Sequence, residues 1–383
     1  MAQDHVKETN QTSDRSATVG RLTLNRRLVT AATESLLQEN NWRKPQMRFI
    51  GVDLHSNSLT ACYLSENGNE EMGTFDLKEL VKFQETLESR DQLAVEATGN
   101  TRHFREAIKN LVSKVVVVNP SQFEVIRKSV KKTDRHDART LALFLSKDML
   151  PESRLKELAH AQLNSVAHKR DKLVKLRTTL INKLHALYVA AGIKSKKSSF
   201  HSGKGLRLAL ERSWDELTRA ELAVIVSQIG SLNEGIKRLD QQLSEHGRGL
   251  AGHRNLTNIK GIGDKSAAVL LSVIGDVSDF AGEDKLASYF GLVPRVANSN
   301  ETVHHGRITK RGSKLGRTTL VQCTLVAARY SPYLKNFYER IKAKKGAGKA
   351  IIATARKFLG IIYRTLKHNW VFADFPNFVL AEE

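Results

Sequence analysis

The spacing of apolar positions changes character along this chain. After residue 47, "MRFIGVDLHSNSLTACYLSENGNEEMGTFDL" divides into three short apolar runs separated by Ser, Asn and Gly. That pattern predicts three strands, with "ENGNE" as a hairpin turn. "KELVKFQETLESR" and "RHFREAIKNLVS" carry apolar residues at helical spacing, whereas "QLAVEATG" and "KVVVVNP" are short apolar runs bounded by turn residues. The continuous valines predict a strand buried on both faces, as in the middle of an α/β sheet. "KKTDRHDARTLALFL", residues 131–145, predicts a helix reaching about Lys147, with Thr133 as its cap. Three strands, helix, strand, helix, strand, helix is the order of an α/β domain with a central mixed sheet, here over residues 48–150.

From 151 to 254 the pattern is purely helical. Leu222, Ile225, Ile229, Leu232, Ile236, Leu239 and Leu243 alternate steps of three and four, a heptad seam. Leu173, Leu176, Leu180, Leu184 and Leu187 form a similar stripe upstream, and the polar "GIKSKKSSFHSGKG" separates the two. The seam suits an antiparallel hairpin of two long helices, or a coiled coil joining two copies of the chain; the readings are compatible. Residues 255–370 form a last, mostly helical unit. "IKGIG" resembles a helix-hairpin-helix turn, in which Gly261 and Gly263 would let the backbone approach a phosphate. Residues 1–47 read as a polar arm and residues 371–383 as a tail.

Composition narrows the partners. At 383 residues the chain exceeds one ordinary core, so two or three domains are expected. Its net charge of +21 points to polyanions, nucleic acid first among them. Between Arg307 and Lys349 the only acid is Glu339. Cys62 and Cys323 make neither a disulfide framework nor a zinc spacing, which fits a reducing compartment. No apolar run reaches the roughly 18 residues needed to span a bilayer, and the N-terminus lacks an apolar signal core. A cytoplasmic protein without a membrane partner is expected.

The candidate chemistry lies in acids at element ends. Asp53 follows the apolar "FIGVD", Glu96 ends "LAVE", and Asp134 and Asp137 open the helix of residues 131–145. Positions just past strand ends converge at one edge of an α/β sheet, and an i,i+3 pair points both carboxylates the same way. Carboxylates about 4 Å apart repel by roughly 4 kcal/mol at an effective dielectric of 20. Such a cluster calls for a cation, and all-oxygen ligands suit Mg²⁺ or Mn²⁺. For the aspartate pair alone, an ordinary helix N-terminus explains the sequence equally well.

"GVDLH", "VEATG" and "KTDRHDARTLA", in this order, resemble the DEDD signature of the insertion sequence one-ten family of transposases, whose relatives include the Piv-type invertases. The resemblance continues in "GLVP" and "GRITKRG". It implies a RuvC-like, ribonuclease-H-type N-terminal domain, a helical linker and a C-terminal transposase domain. It also implies that Asp53, Glu96, Asp134 and Asp137 bind metal, and that Ser299 is a nucleophile joining covalently to a DNA phosphate. Asn300 stands where the family pattern has glycine. Arg295, Arg307, Lys310, Arg311, Lys314 and Arg317 surround the serine in sequence and would hold nucleic-acid phosphates. The implied partners are DNA, a noncoding bridge RNA and further copies of the chain in a dimer or tetramer. The rival readings are a RuvC-like nuclease using water as nucleophile, and a degenerate copy that binds DNA without recombining it.

Overall fold

The structure is a computed structural model describing residues 47–120, 122–123, 133–299, 302–372 and 378–380; residues 297–299, 302–305, 372 and 378–380 are described by backbone alone. Nearly all of the N-terminal arm, and Asn300, lie outside the described residues. The chain divides into two compact units between Leu155 and Lys156.

The first unit is a five-stranded mixed sheet with helices on both faces. Its elements are β1 (Arg48–Leu54), β2 (Ser58–Ser65), β3 (Glu70–Asp76), α1 (Leu80–Gln84), β4 (Gln92–Glu96), α2 (Thr101–Ile108), β5 (Lys114–Val118) and α3 (Asp134–Ser146). The strand order is β3-β2-β1-β4-β5. β1, β2 and β3 pair antiparallel, while β1–β4 and β4–β5 are parallel. This is the mixed sheet that the sequence pattern predicts.

Alternation along the strands explains the two-sided packing. Ile50, Val52, Leu93 and Val95 bury against Phe83 of α1 and Phe104 and Ile108 of α2. On the opposite face Ala94, Val116 and Val118 pack with Leu141 and Leu145 of α3, and Cys62 and Leu64 pack with Ala138 and Ala142. Gly51 lies beneath α3: a Cβ there would stand 2.0 Å from the Ala138 carbonyl oxygen. Glycine on β1 and two alanines on α3 thus let helix and sheet approach closely, which draws the start of α3 toward the end of β1.

A buried ion pair locks the sheet's other end. Arg48 donates from Nε to Asp91 Oδ1 at 2.9 Å and from Nη2 to Oδ2 at 2.7 Å. Asp91 is fully buried, and its Oδ2 also accepts from the Glu88 backbone N–H at 2.7 Å. Burying a carboxylate is tolerable because its partners satisfy it.

In the second unit, α4 (Leu158–Ala190) and α6 (Glu216–Gly247) run antiparallel. Arg170 pairs with Asp240 and Arg177 donates to Asn233, so contacts near the start of α4 meet the end of α6. The heptad seam is therefore an intrachain seam. Leu222, Ile225, Ile229, Ile236 and Leu243 of that seam are buried. Of the upstream stripe, Leu184 is fully buried and Leu180 and Leu187 pack against the hairpin core, whereas Leu176 is exposed. Leucine spacing gives only part of the inward face, because Ala167, Ile181 and Tyr188 are buried on it as well. α5 (Gly203–Glu211) caps the hairpin tip through Leu206 and Ala209, which pack with Phe200 and Tyr188.

The rest of this unit comprises α7 (His253–Thr257), α8 (Asp264–Ile274), α9 (Glu283–Tyr289), the hairpin β6 (Pro294–Ser299) and β7 (Thr302–Ile308), α10 (Lys314–Tyr330), α11 (Pro332–Lys345) and α12 (Ala347–Lys367). α8 is buried over Ala267–Ile274 and forms the centre of the core, against α10 and α12. Pro294 and the polar residues after it predict a loop from sequence, and the structure has an antiparallel hairpin there instead, with a bulge between Pro294 and Val296. Its sequence hides the strands, because PRVANS and TVHHGRI lack the regular apolar alternation that marks a half-buried strand. Among the described residues no helix is long and apolar enough to cross a membrane.

Candidate metal centre

Three separated segments deliver acids to one place. Asp53 stands near the C-terminal end of β1, and Glu96 ends the adjacent parallel strand β4. Asp134 and Asp137 occupy the first turn of α3, whose cap is Thr133, accepting from the His136 backbone N–H at 3.2 Å. The i,i+3 spacing puts both aspartates on the side facing the sheet edge.

The electrostatics record the convergence. Burial pushes the Asp53 carboxyl above its ordinary range; His55 pulls it down, and Asp134 and Asp137 push it up. Burial also raises Glu96, with Asp53 and Asp137 adding to the rise. Asp53 and Glu96 therefore each feel the field of other acids in the cluster. A site that disfavours its own ionised carboxylates is one a cation completes.

His55 joins this group, a residue that charge patterning does not single out. Its Nε2 lies 3.4 Å from Asp53 Oδ2 and 3.3 Å from Asp134 Oδ2. Ligand atoms of Asp53, His55 and Asp134 all fall within 4.8 Å of one another, a spacing that can hold a metal ion. The only hint in sequence is the imidazole two positions after Asp53, in "GVDLH".

The loop after β4 is braced by hydroxyls. Thr101 Oγ1 donates to the Glu96 carbonyl at 2.8 Å and accepts from the Thr98 N–H at 2.8 Å. Asn100 Nδ2 donates to the His55 carbonyl at 2.7 Å, tying the ends of β1 and β4 together.

The second unit holds the remaining candidate residues. Ser299 is the last residue of β6 and pairs with Thr302 of β7. Arg295, Arg307, Lys310, Arg311 and Lys314 are exposed along the hairpin and the start of α10. Arg317 is different: it is half-buried and donates to the Phe290 carbonyl at 3.0 Å, so it braces the chain turn before the hairpin. Burial lowers its pKa from the ordinary value.

Gly261 also has a packing role. At φ +111° its missing Cβ would lie 2.7 Å from the Ala327 backbone nitrogen, so the glycine admits α10. Gly263 caps α8 and has open space where a Cβ would sit. Beside it, Asp264 already occupies the first turn of α8 and pairs with Arg248 at 2.9 Å, which lowers its pKa.

Comparison with known proteins bears on both units. An IS110-type DEDD transposase model matches residues 50–190. The model described as "Transposase IS116/IS110/IS902 family" matches residues 253–339. A transposase for insertion sequence element IS1111A from Coxiella burnetii is 25% identical over 349 residues, 87% of this chain and 93% of its own length. Pilin gene-inverting proteins of Moraxella lacunata and Moraxella bovis are each 28% identical over 343 residues, covering 84% of this chain and 96% of theirs. With its acid-bearing and basic segments both matched, the chain belongs to the IS110 family of transposases.

Proposed function

We propose that this transposase cuts and rejoins DNA with two pieces of chemistry, one carried in each unit. In the first, Asp53, Glu96, Asp134 and Asp137 hold Mg²⁺ or Mn²⁺, with His55 beside them. In the second, Ser299 supplies the nucleophile. The observation that carries the reading is the meeting of acids from β1, β4 and α3 at one sheet edge. The strand order supports a RuvC-like, ribonuclease-H-type unit.

Bound there, a divalent ion would stabilise negative charge on phosphate oxygens. The Ser299 hydroxyl would lose its proton and form a bond to phosphorus as the bond to one deoxyribose oxygen breaks. The released deoxyribose oxygen takes up a proton. The phosphoserine diester keeps the bond energy, so a DNA hydroxyl can later attack it, rejoin the strand and restore the serine without ATP. Arg295, Arg307, Lys310, Arg311 and Lys314, exposed around the hairpin, suit contacts to the DNA backbone. Similarity to transposases supports DNA as substrate. A bridge RNA that reads sequence by base pairing, and assembly into a dimer or tetramer, belong to the same proposal; the +21 charge suits such a polyanionic partner.

Wild type and Ser299→Ala, incubated with Mg²⁺, element-end DNA and candidate RNA, test the serine. Wild type is expected to give a protein–DNA adduct that survives denaturation and disappears on proteolysis. An adduct persisting in the alanine variant overturns the serine assignment. DNA cleavage without any adduct, in wild type and variant alike, favours water as nucleophile.

A further inference from the structure

We propose that His55 is itself a ligand of the ion held by the acid cluster, and that it turns the site from magnesium toward first-row transition ions. The proposal rests on the reading that the cluster holds a divalent cation.

Geometry favours ligation over a simple ion pair. Charge-assisted hydrogen bonds from nitrogen to carboxylate run about 2.7–2.9 Å. The imidazole Nε2 stands farther than that from both oxygens, 3.4 Å from Asp53 and 3.3 Å from Asp134. Donors at adjacent corners of a six-coordinate ion, each about 2.1 Å from it, lie about 3.0 Å apart. The two separations from His55 are thus near the spacing of neighbouring ligands around one ion, and all three ligand atoms fall within 4.8 Å of one another.

The backbone that carries the ring is also held in position. The His55 backbone N–H donates to the Ser58 carbonyl at 2.9 Å, and its carbonyl accepts from Asn100 at 2.7 Å. Both groups of its peptide frame are fixed, one by the β1–β2 turn and one by Asn100, in the loop that follows Glu96. The His55 side chain remains 47% exposed and Asp134 58% exposed, so water or a phosphate oxygen can complete the coordination sphere from the open side.

The chemistry follows from donor type. Magnesium prefers oxygen ligands and keeps its waters. An imidazole nitrogen strengthens binding of transition ions, increasingly from manganese to cobalt. Four carboxylates alone make a hard site, and one nitrogen among them strengthens the preference for transition ions beyond what the acids give.

The full-length protein, wild type and His55→Ala, is titrated with Mg²⁺ and with Co²⁺ by calorimetry, and the Co²⁺ absorption spectrum is recorded. His55→Ala is expected to weaken Co²⁺ binding about tenfold or more, the scale of losing a metal-site residue, while Mg²⁺ binding stays nearly unchanged. The Co²⁺ bands should shift as nitrogen leaves the sphere. His55→Gln, with a side chain of similar reach and no imidazole, should behave like alanine. Equal losses for both ions, or no loss for either, overturn the proposal. Asp53→Asn separates the two levels: if it leaves both titrations intact, the acid cluster is not the metal site and the underlying reading fails instead.

Discussion

The acid cluster and the serine hairpin are built on opposite plans. Three of the four cluster acids adjoin fully buried residues: Val52 precedes Asp53, Val95 precedes Glu96, and Ala138 follows Asp137, while Asp134 stands at the exposed start of α3. Ser299 ends a strand of a two-stranded hairpin, where Val296 is 55% exposed and Arg295 and Arg307 are exposed as well. A lone hairpin has little stability of its own. The contrast has a chemical reason. Carboxylates that repel one another must be held at fixed spacing by something stronger than their repulsion, and a core supplies that. The nucleophile proposed at Ser299 and the basic residues near it in sequence would instead need to be accessible to a large polyanion.

If that contrast is right, changes at the acids and their frame should be costly, and changes along the hairpin should act mainly on DNA. The largest effect is expected at the cluster. Asp53→Asn should lower strand exchange by at least about 10²–10³-fold, the scale of losing one electrostatic stabiliser, in an assay of recombinant product, while circular dichroism stays unchanged. Next is the frame. Arg48→Ala strands the fully buried Asp91 carboxylate and should cost about 3–5 kcal/mol. Urea unfolding monitored in the first unit reads this, and a cost below 1 kcal/mol, in order-of-magnitude terms, would make the pair no better than a surface one.

Gly51→Ala should cost about 1–3 kcal/mol by overpacking, because the new methyl meets the Ala138 carbonyl. It should also weaken metal binding, since α3 carries two of the acids; calorimetry with intact metal affinity would show that the close approach does not set the site.

A pH series probes the cluster more gently. Burial raises Asp53 and Glu96 in the folded chain. Between the ordinary carboxylate range near about 4 and those raised values, the folded state binds more protons than the unfolded one. Stability without metal therefore falls as pH rises through that window. A divalent ion should offset the fall, more so at higher pH. Denaturation in EDTA and in excess Mn²⁺ across the series measures the difference, and a gap that does not widen with pH contradicts the expectation.

The smallest effect belongs to the hairpin. Arg307→Ala should leave unfolding nearly unchanged and reduce the salt slope of DNA binding by about 0.9, one phosphate contact. Fluorescence anisotropy at several salt concentrations tests it.

Much of this was readable from the chain alone. The α/β order, the Thr133 cap and the end of α3 follow from local spacing and capping chemistry, which act within a few residues. The acids are legible because strand ends and helix starts fall at predictable places in an α/β sheet. Other features were hidden for physical reasons. The β6–β7 hairpin has no apolar alternation to betray it. Leu176 looks like a seam residue and is exposed, since the seam includes Ala167, Ile181 and Tyr188. Gly261 and Arg317 read as phosphate-binding residues by type, and their nearest partners are protein atoms of Ala327 and Phe290.

The chain's residues alone marked the acids as candidates and the strands and helices of the first unit, because those depend on side-chain type and local period. Three matters were left to the tertiary structure. One is that the heptad seam closes within the chain; a period names a face but not its partner. Another is that Gly51 lies under α3, and Arg48 against Asp91, across gaps in sequence that no local rule spans. The last is that His55 stands between Asp53 and Asp134: the ring's neighbours are set by where β1 ends relative to α3, a distance that exists only once the sheet and helix have packed.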